Sequence, residues 1–147
     1  MKRYALALAG TTLLLTASLF AAEIKLEGIK CPVSGQPVKE GTDVAYKGAK
    51  VFFCCNDCPK AFEKDTAKFA SKANQQLVAT GQAKEVKCPI AGKDLNPATA
   101  IDVAGTKVAF CCNGCKGKAL AAKGDEQLNL VFSDDAFKKG FEVKKDK

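Results

Sequence analysis

Apolar and polar residues alternate in two stretches of the chain, residues 44–53 and 101–110. A period of two places every second side chain on the same face of a strand, so each stretch predicts β-structure. Gly48 and Gly105 lie in the middle of these stretches, where a turn with positive φ costs glycine little. We therefore predict one β-hairpin in each stretch.

A helical period follows the first predicted hairpin. Pro59 suits a first helical turn because the N–H that proline lacks would have no intrahelical partner there. Phe62, Thr66 and Phe69 then fall on one face of a helix, which we expect to end near Ser71.

The remaining regions carry weaker patterns. Residues 74–86 are rich in polar and small residues and predict a connector. Leu128, Leu130 and Phe132 occupy every second position, which favours a short strand. Residues 142–147 are mostly lysine and acidic residues, and we expect them to form a frayed tail.

Eight cysteines form two sets of four with one spacing, C-x22-C-C-x2-C, and the second set is displaced by 57 positions. Without any gap, residues 30–58 and 87–115 are identical at thirteen of twenty-nine positions. Thiols repeated in this way indicate a soft metal site or disulfide chemistry. The candidate metal ligands are Cys31, Cys54, Cys55, Cys58, Cys88, Cys111, Cys112 and Cys115.

The duplication predicts a small α+β protein built from two tandem units. We place the first unit at residues 23–73, a connector at 74–86, and the second unit with its basic tail at 87–147. A unit of about 50 residues rarely buries enough apolar surface to fold unaided, and disulfides or a metal often supply the missing stability. The cysteines lie at positions where a disulfide or a bound metal could supply this stability.

The N-terminus has the pattern of a secretory signal. Lys2 and Arg3 precede a run without charge from Tyr4 to Ala22 that ends in small residues. We expect residues 1–22 to be a signal peptide and the mature protein to be periplasmic or secreted. The alternative is an uncleaved N-terminal anchor, since the run nearly spans a bilayer. No membrane association beyond this segment is expected.

The formal net charge is +7, and loss of Lys2 and Arg3 reduces it to about +5. The basic residues are mostly lysines spread along the chain, which favours a solvated surface. A nucleic-acid interface would favour a clustered stripe containing arginine, so we expect no nucleic-acid partner.

Each unit begins with a tight turn, Cys-Pro-Val-Ser-Gly at 31–35 and Cys-Pro-Ile-Ala-Gly at 88–92, and its hairpin runs into a Cys-Cys-x-x-Cys cluster. This order resembles the TRASH and YHS-type cysteine-rich domains, which belong with the MYM and FCS-type treble-clef zinc fingers. The resemblance implies two treble-clef-like units, each with a knuckle turn, a β-hairpin and a helix. It also implies metal binding, often in heavy-metal handling, through Cys31, Cys54 and Cys58 and through Cys88, Cys111 and Cys115.

Two interpretations of Cys55 and Cys112 remain open. Tetrahedral zinc needs four donors, which makes each of them a candidate fourth ligand. Adjacent side chains such as those of Cys54 and Cys55 point in different directions, however, which favours a packed thiol. Ala91 cannot coordinate a metal, so Ser34 is not expected to be a ligand if both units do the same work.

Sulfur donors without imidazole or carboxylate favour zinc or copper(I) over harder ions. We expect up to one ion per repeat. Three thiolates suit trigonal copper(I), and four suit zinc. The ion is either a structural zinc or a cargo metal, and both interpretations remain open.

The main expectation is an exported, non-catalytic protein that binds soft metal ions. Cys55-x-x-Cys58 and Cys112-x-x-Cys115 also match the motif of thiol–disulfide oxidoreductases. An even cysteine count in a secreted chain equally suits a structural disulfide module that binds another protein. The chain contains no histidine, which excludes imidazole acid–base catalysis and catalytic triads, so we do not expect an enzyme.

Overall fold

The computed structural model describes residues 24–144. The predicted signal peptide, residues 1–22, and the end of the predicted tail lie outside this range. Within it the chain forms an α+β arrangement, which confirms the predicted fold class at this level. The strands are β1 (Asp43–Tyr46), β2 (Ala49–Phe52), β3 (Ala83–Glu85), β4 (Asn96–Val103), β5 (Thr106–Phe110) and β6 (Phe141–Val143). The helices are α1 (Asp57–Lys64), α2 (Thr66–Ala79), α3 (Asn113–Ala121), α4 (Gly124–Phe132) and α5 (Asp134–Gly140).

Both predicted hairpins are confirmed. Strand β1 pairs with β2 and β4 pairs with β5, each antiparallel. The turns contain Lys47 and Gly48 in the first hairpin and Ala104 and Gly105 in the second, and all four residues have positive φ. Two consecutive residues with positive φ give the turn a twist that matches the twist of the flanking strands.

The helix after the first hairpin is longer than predicted and is broken once. Asp65 departs from helical geometry between α1 and α2, and its side chain accepts a hydrogen bond from the Lys68 N–H, which starts the second helix. The predicted end near Ser71 is wrong, because α2 continues to Ala79. The predicted boundary at residue 73 therefore falls inside a helix.

Two further local predictions are wrong. Leu128, Leu130 and Phe132 belong to helix α4, which has acidic Asp125 and Glu126 in its first turn, where they favour a helix start. The chain does form a late strand, but it is β6, which begins the segment predicted as a frayed tail and pairs antiparallel with β3. Strand β3 lies in the predicted connector, so the two segments without predicted structure pair with each other. No helix within residues 24–144 is long and apolar enough to cross a membrane.

Helix α2 packs against elements of both halves of the chain. It contacts β2 on one side and α4 and α5 on the other. Buried residues of both repeats form one core cluster, to which α2 contributes Ala73 and Leu77. Sharing a core in this way buries more apolar surface than either repeat would bury alone.

A polar network also joins the halves. The buried Asn74 side chain donates to the Phe132 carbonyl (2.8 Å) and to Asp134 (3.0 Å), and it accepts from Lys47 Nζ (2.9 Å). Lys47 also forms an ion pair with Asp134 at 2.6 Å, and this contact holds the pKa of Asp134 below its usual value. The tip of the first hairpin is thereby tied to the start of α5.

The two hairpins differ in the side chain that covers the outer edge of their second strand. In the first, Gln76 accepts from the Phe52 N–H (2.7 Å) and donates to the Phe52 carbonyl (2.9 Å), so the amide satisfies both backbone groups. Ala109 is the equivalent of Phe52, displaced by 57 positions. Its N–H donates to Glu85 Oε2 (3.0 Å). Glu85 Oε1 is buried and has no hydrogen-bond partner among residues 24–144.

Burial raises the pKa of Glu85 from 4.5 to about 7, although the hydrogen bond from the Ala109 N–H opposes this shift. The folded protein therefore holds a proton that the unfolded chain has released in the window between these two values. The free energy of unfolding must fall as the pH rises through that window. A protonated Glu85 resembles the amide of Gln76, because it can both accept and donate.

We predict that Glu85→Gln raises the free energy of unfolding at pH 8 by about 1 kcal/mol, because it removes the negative charge of a partly buried carboxylate. The gain should shrink at pH 5, where Glu85 is already protonated. Urea unfolding at both pH values measures the difference.

The matched variant is Gln76→Glu, which gives the first hairpin the arrangement of the second. It should lower the free energy of unfolding by about 2 kcal/mol at pH 8, and by less at pH 5. Equal effects at both pH values for either variant would contradict the titration of a carboxyl group at these strand edges.

Candidate metal centres

The structure brings three cysteines together twice. Ligand atoms of the first triad, Cys31, Cys54 and Cys58, all lie within 4.8 Å of one another. The same holds for the second triad, Cys88, Cys111 and Cys115. Each triad combines a cysteine from a turn with two cysteines that flank the start of a helix. Two groups able to hold a metal ion are therefore present, one in each repeat.

The turn that carries the first cysteine has the same backbone in both repeats. The Cys31 N–H donates to the Gln36 carbonyl (2.8 Å), and the Gly35 N–H donates to the Cys31 carbonyl (2.9 Å). The corresponding distances around Cys88 are 2.8 and 2.7 Å. Gly35 and its equivalent Gly92 have positive φ, which explains why glycine stands at both positions.

A threonine holds the end of each hairpin beside the cysteine cluster. Thr42 Oγ1 donates to the carbonyl of Phe53, the residue before Cys54. Thr99 Oγ1 donates in the same way to the carbonyl of Phe110 at 2.6 Å. The threonine is one of the identities between the repeats, and its hydroxyl sets where the strand ends and the ligands begin.

Within each triad the two cysteines one helical turn apart are close. The Sγ atoms of Cys54 and Cys58 are 3.6 Å apart, and those of Cys111 and Cys115 are 3.7 Å apart. Zinc–sulfur bonds of about 2.3 Å in a tetrahedral site separate two sulfurs by about 3.8 Å. These two pairs therefore have about the sulfur separation that a tetrahedral zinc ion needs, which agrees with the prediction that Cys54 and Cys58 face one ion.

The thiols of a triad differ in acidity. Burial raises the pKa of Cys31, but hydrogen bonds from the backbone and side chain of Ser34 and from the backbone of Cys54 outweigh it and lower the pKa to about 7. Burial raises the pKa of Cys58, and hydrogen bonds with neighbouring thiols raise it further. Without a cation, the Cys31 thiol ionises more readily than the Cys58 thiol, so binding a metal through Cys58 must displace its proton.

The second triad shows the same order. Burial opposes ionisation of Cys88, yet backbone hydrogen bonds from Cys111, Ala91 and Ile90 lower its pKa. Burial raises the pKa of Cys115 to about 12, with a contribution from the Cys111 thiol. The turn thiol and the helix thiol thus have the same directions of pKa shift in both triads.

Cys55 and Cys112 lie outside the triads, and both are exposed. The interpretation of these residues as packed thiols is therefore wrong. Cys55 Sγ lies 3.3 Å from Cys58 Sγ, whereas Cys112 Sγ lies 3.8 Å from Cys111 Sγ. Each is thus next to a triad sulfur, and the role of a fourth ligand stays a prediction.

Hydrogen bonds lower the pKa of both exposed thiols. For Cys55 the main partner is the Cys58 thiol, followed by the backbone at the start of α1. For Cys112 it is the backbone of Cys115. Thiols of this kind ionise more readily than an ordinary cysteine and are accessible to a metal ion or to another thiol.

One residue that sequence reasoning set aside contacts the first triad. Ser34 Oγ lies 3.0 Å from Cys54 Sγ. Ala91 occupies the same position in the second repeat and offers no such group. The difference between the aligned turns was the available signal, but spacing alone did not show that the hydroxyl reaches a sulfur.

Comparison of the chain with protein families, with curated protein sequences and with solved structures finds no match. The cysteine geometry is consistent with cysteine-rich metal-binding units, and it carries the functional argument by itself.

We predict that Cys31→Ser disrupts metal binding and folding of the first repeat more than Cys55→Ser does. Cys31 is buried and is the ligand that ties the turn to the helix start, whereas Cys55 is exposed and outside the triad. Loss of a direct ligand should exceed the roughly 10–100-fold loss of affinity that outer-shell changes cause. Circular dichroism and metal affinity of the two variants test this.

The second repeat supplies a matched pair, Cys88→Ser and Cys112→Ser, which should show the same order. Equal damage from both members of a pair would mean that the exposed cysteine is a full ligand. Greater damage from the exposed cysteine would overturn the assignment of the triads.

Proposed function

We propose that this chain is an exported, non-catalytic protein that binds soft metal ions, one in each of two treble-clef-like repeats. The observation that carries the proposal is the repeated cysteine triad, in which three sulfurs lie within 4.8 Å of one another in each repeat. The turns and threonine contacts around the triads are also repeated. Duplication of a whole ligand environment favours metal binding as the shared role.

The candidate ions are zinc and copper(I), because thiolates are soft donors. A three-sulfur set matches the trigonal preference expected for copper(I). Addition of Cys55 or Cys112 would complete a four-sulfur zinc site. The exposure of these two thiols favours three-sulfur sites with an accessible neighbour, and therefore favours an exchangeable metal over a fully enclosed structural one.

The proposed location outside the cytoplasm rests on the N-terminal pattern of residues 1–22. Exported thiols are exposed to oxidation, so metal occupancy or a reducing partner must protect them. The absence of histidine from the whole sequence supports a non-catalytic role, because imidazole is the common acid–base group near neutral pH.

The second candidate is a thiol–disulfide oxidoreductase. The observation that favours it is the 3.3 Å separation of the Cys55 and Cys58 sulfurs, with Cys55 exposed and Cys58 buried. This candidate leaves the turn cysteines Cys31 and Cys88 without a role. A structural disulfide module that binds another protein is a further alternative, and all eight cysteines would then be paired.

We predict that the protein, purified without added chelator or reductant, contains up to two zinc or copper ions and retains free thiols. Elemental analysis and thiol titration on the same sample measure both quantities. Absence of metal together with absence of free thiols would contradict the proposal in favour of disulfides.

Growth of a deletion strain in graded copper, zinc and cadmium separates cargo metal from structural metal. Metal handling predicts a changed tolerance to at least one of these ions, which a plasmid encoding the protein restores and one encoding Cys31→Ser/Cys88→Ser does not. Unchanged tolerance to all three, with zinc released only on unfolding, would favour a structural role.

A further inference from the structure

One polar contact at the turn is present in only one of the two proposed metal sites. Ser34 Oγ lies 3.0 Å from Cys54 Sγ in the first repeat, and Ala91 replaces Ser34 in the second. The backbone turns around the two positions have the same hydrogen bonds. The two turns therefore share a backbone conformation and differ in the presence of this hydroxyl.

When a metal is bound, the Ser34 hydroxyl can act only as a donor toward the triad sulfurs. The Gln36 N–H donates to Ser34 Oγ at 3.3 Å, which occupies one lone pair of the oxygen. A sulfur bound to a metal is a thiolate, so it can only accept. The Ser34 hydroxyl can then only donate to the triad sulfurs, to Cys54 or to Cys31, and a hydrogen bond to an ionised acceptor is stronger than a neutral one.

We propose that Ser34 makes the two sites unequal, so that the first binds copper(I) more tightly than the second. This inference rests on the proposed function, because it concerns the ions that the triads bind. Donors to ligand atoms orient the ligands and stabilise their charge, and their loss typically costs about 10–100-fold in metal affinity. Because Ser34 is exposed, we expect an effect at the lower end of this range, about tenfold.

The net charge of the metal site predicts that Ser34 also affects the preference for copper(I) over zinc. Three thiolates around copper(I) leave more uncompensated negative charge than the same thiolates around zinc, because copper(I) carries one charge fewer. A donor to Cys54 offsets part of that excess. Ser34 should therefore favour copper(I) over zinc at the first site, and Ala91 should leave the second site without this preference.

The reciprocal exchange of the two residues tests the proposal without the need to assign each binding constant to one of the sites. Four proteins are compared: wild type, Ser34→Ala, Ala91→Ser and the double exchange. Each competes for copper(I) with the chromophoric chelator bathocuproine disulfonate, and for zinc with a zinc indicator. Both side chains are natural at this turn in one repeat, so the variants should fold, and circular dichroism checks that they do.

The wild type should show two copper(I) constants about tenfold apart. Ser34→Ala should bring them together at the weaker value, Ala91→Ser at the stronger value, and the double exchange should restore the separation. Ser34→Thr, which keeps the hydroxyl, should behave like the wild type. The corresponding changes for zinc should be smaller.

Two copper(I) ions bound with the same constants in all four proteins would overturn the role of Ser34 and leave the proposed function intact. Equal changes for copper(I) and zinc would overturn the metal preference. If no variant competes for either metal while its thiols are reduced, both the inference and the proposed function fail.

Discussion

The whole structure depends on bringing three sulfurs within a few ångströms when one is more than twenty residues away from the others. The hairpin meets this constraint. It leaves the turn that carries the first cysteine, reverses at two residues with positive φ, and returns to the start of a helix. Threonine holds the residue directly before the second cysteine, Phe53 in the first repeat and Phe110 in the second. An error of one residue in the pairing would turn the core side chains of the strand outward and displace the cluster.

The two repeats resemble each other more closely in their backbone than in the side chains that surround it. Both repeats have the same turn, hairpin and ligand spacing, but their second strands are covered by Gln76 in one and Glu85 in the other. The sulfurs likewise have a serine hydroxyl beside them in one repeat only. Differences of this kind leave the backbone of the repeats unchanged, and they are where we expect the two sites to differ in acidity and in affinity for metal.

Helix α2 makes the repeats interdependent. It packs on the first hairpin, on α4 and on α5, and its Asn74 joins the network of Lys47 and Asp134. A metal bound in one repeat would therefore stabilise surfaces on which the other repeat is packed. This coupling is physically reasonable for units of about 50 residues, which have little core of their own.

The sequence by itself determined the local features of this protein: the alternation of the hairpins, the glycines of their turns and the spacing of the cysteines. These depend on neighbouring residues, and the structure agrees with them, including the facing pair Cys54 and Cys58. The assignments of a signal peptide and of a metal remain predictions from pattern and ligand chemistry.

Only the tertiary structure decided what depends on distant partners. Residues 74–79 seemed a connector by composition, yet they are helical because Leu77 and the polar Asn74 and Gln76 are buried against other elements. Strand β6 exists because β3 pairs with it, and the contacts of Ser34 and Glu85 follow from folding, since neither partner is near in sequence.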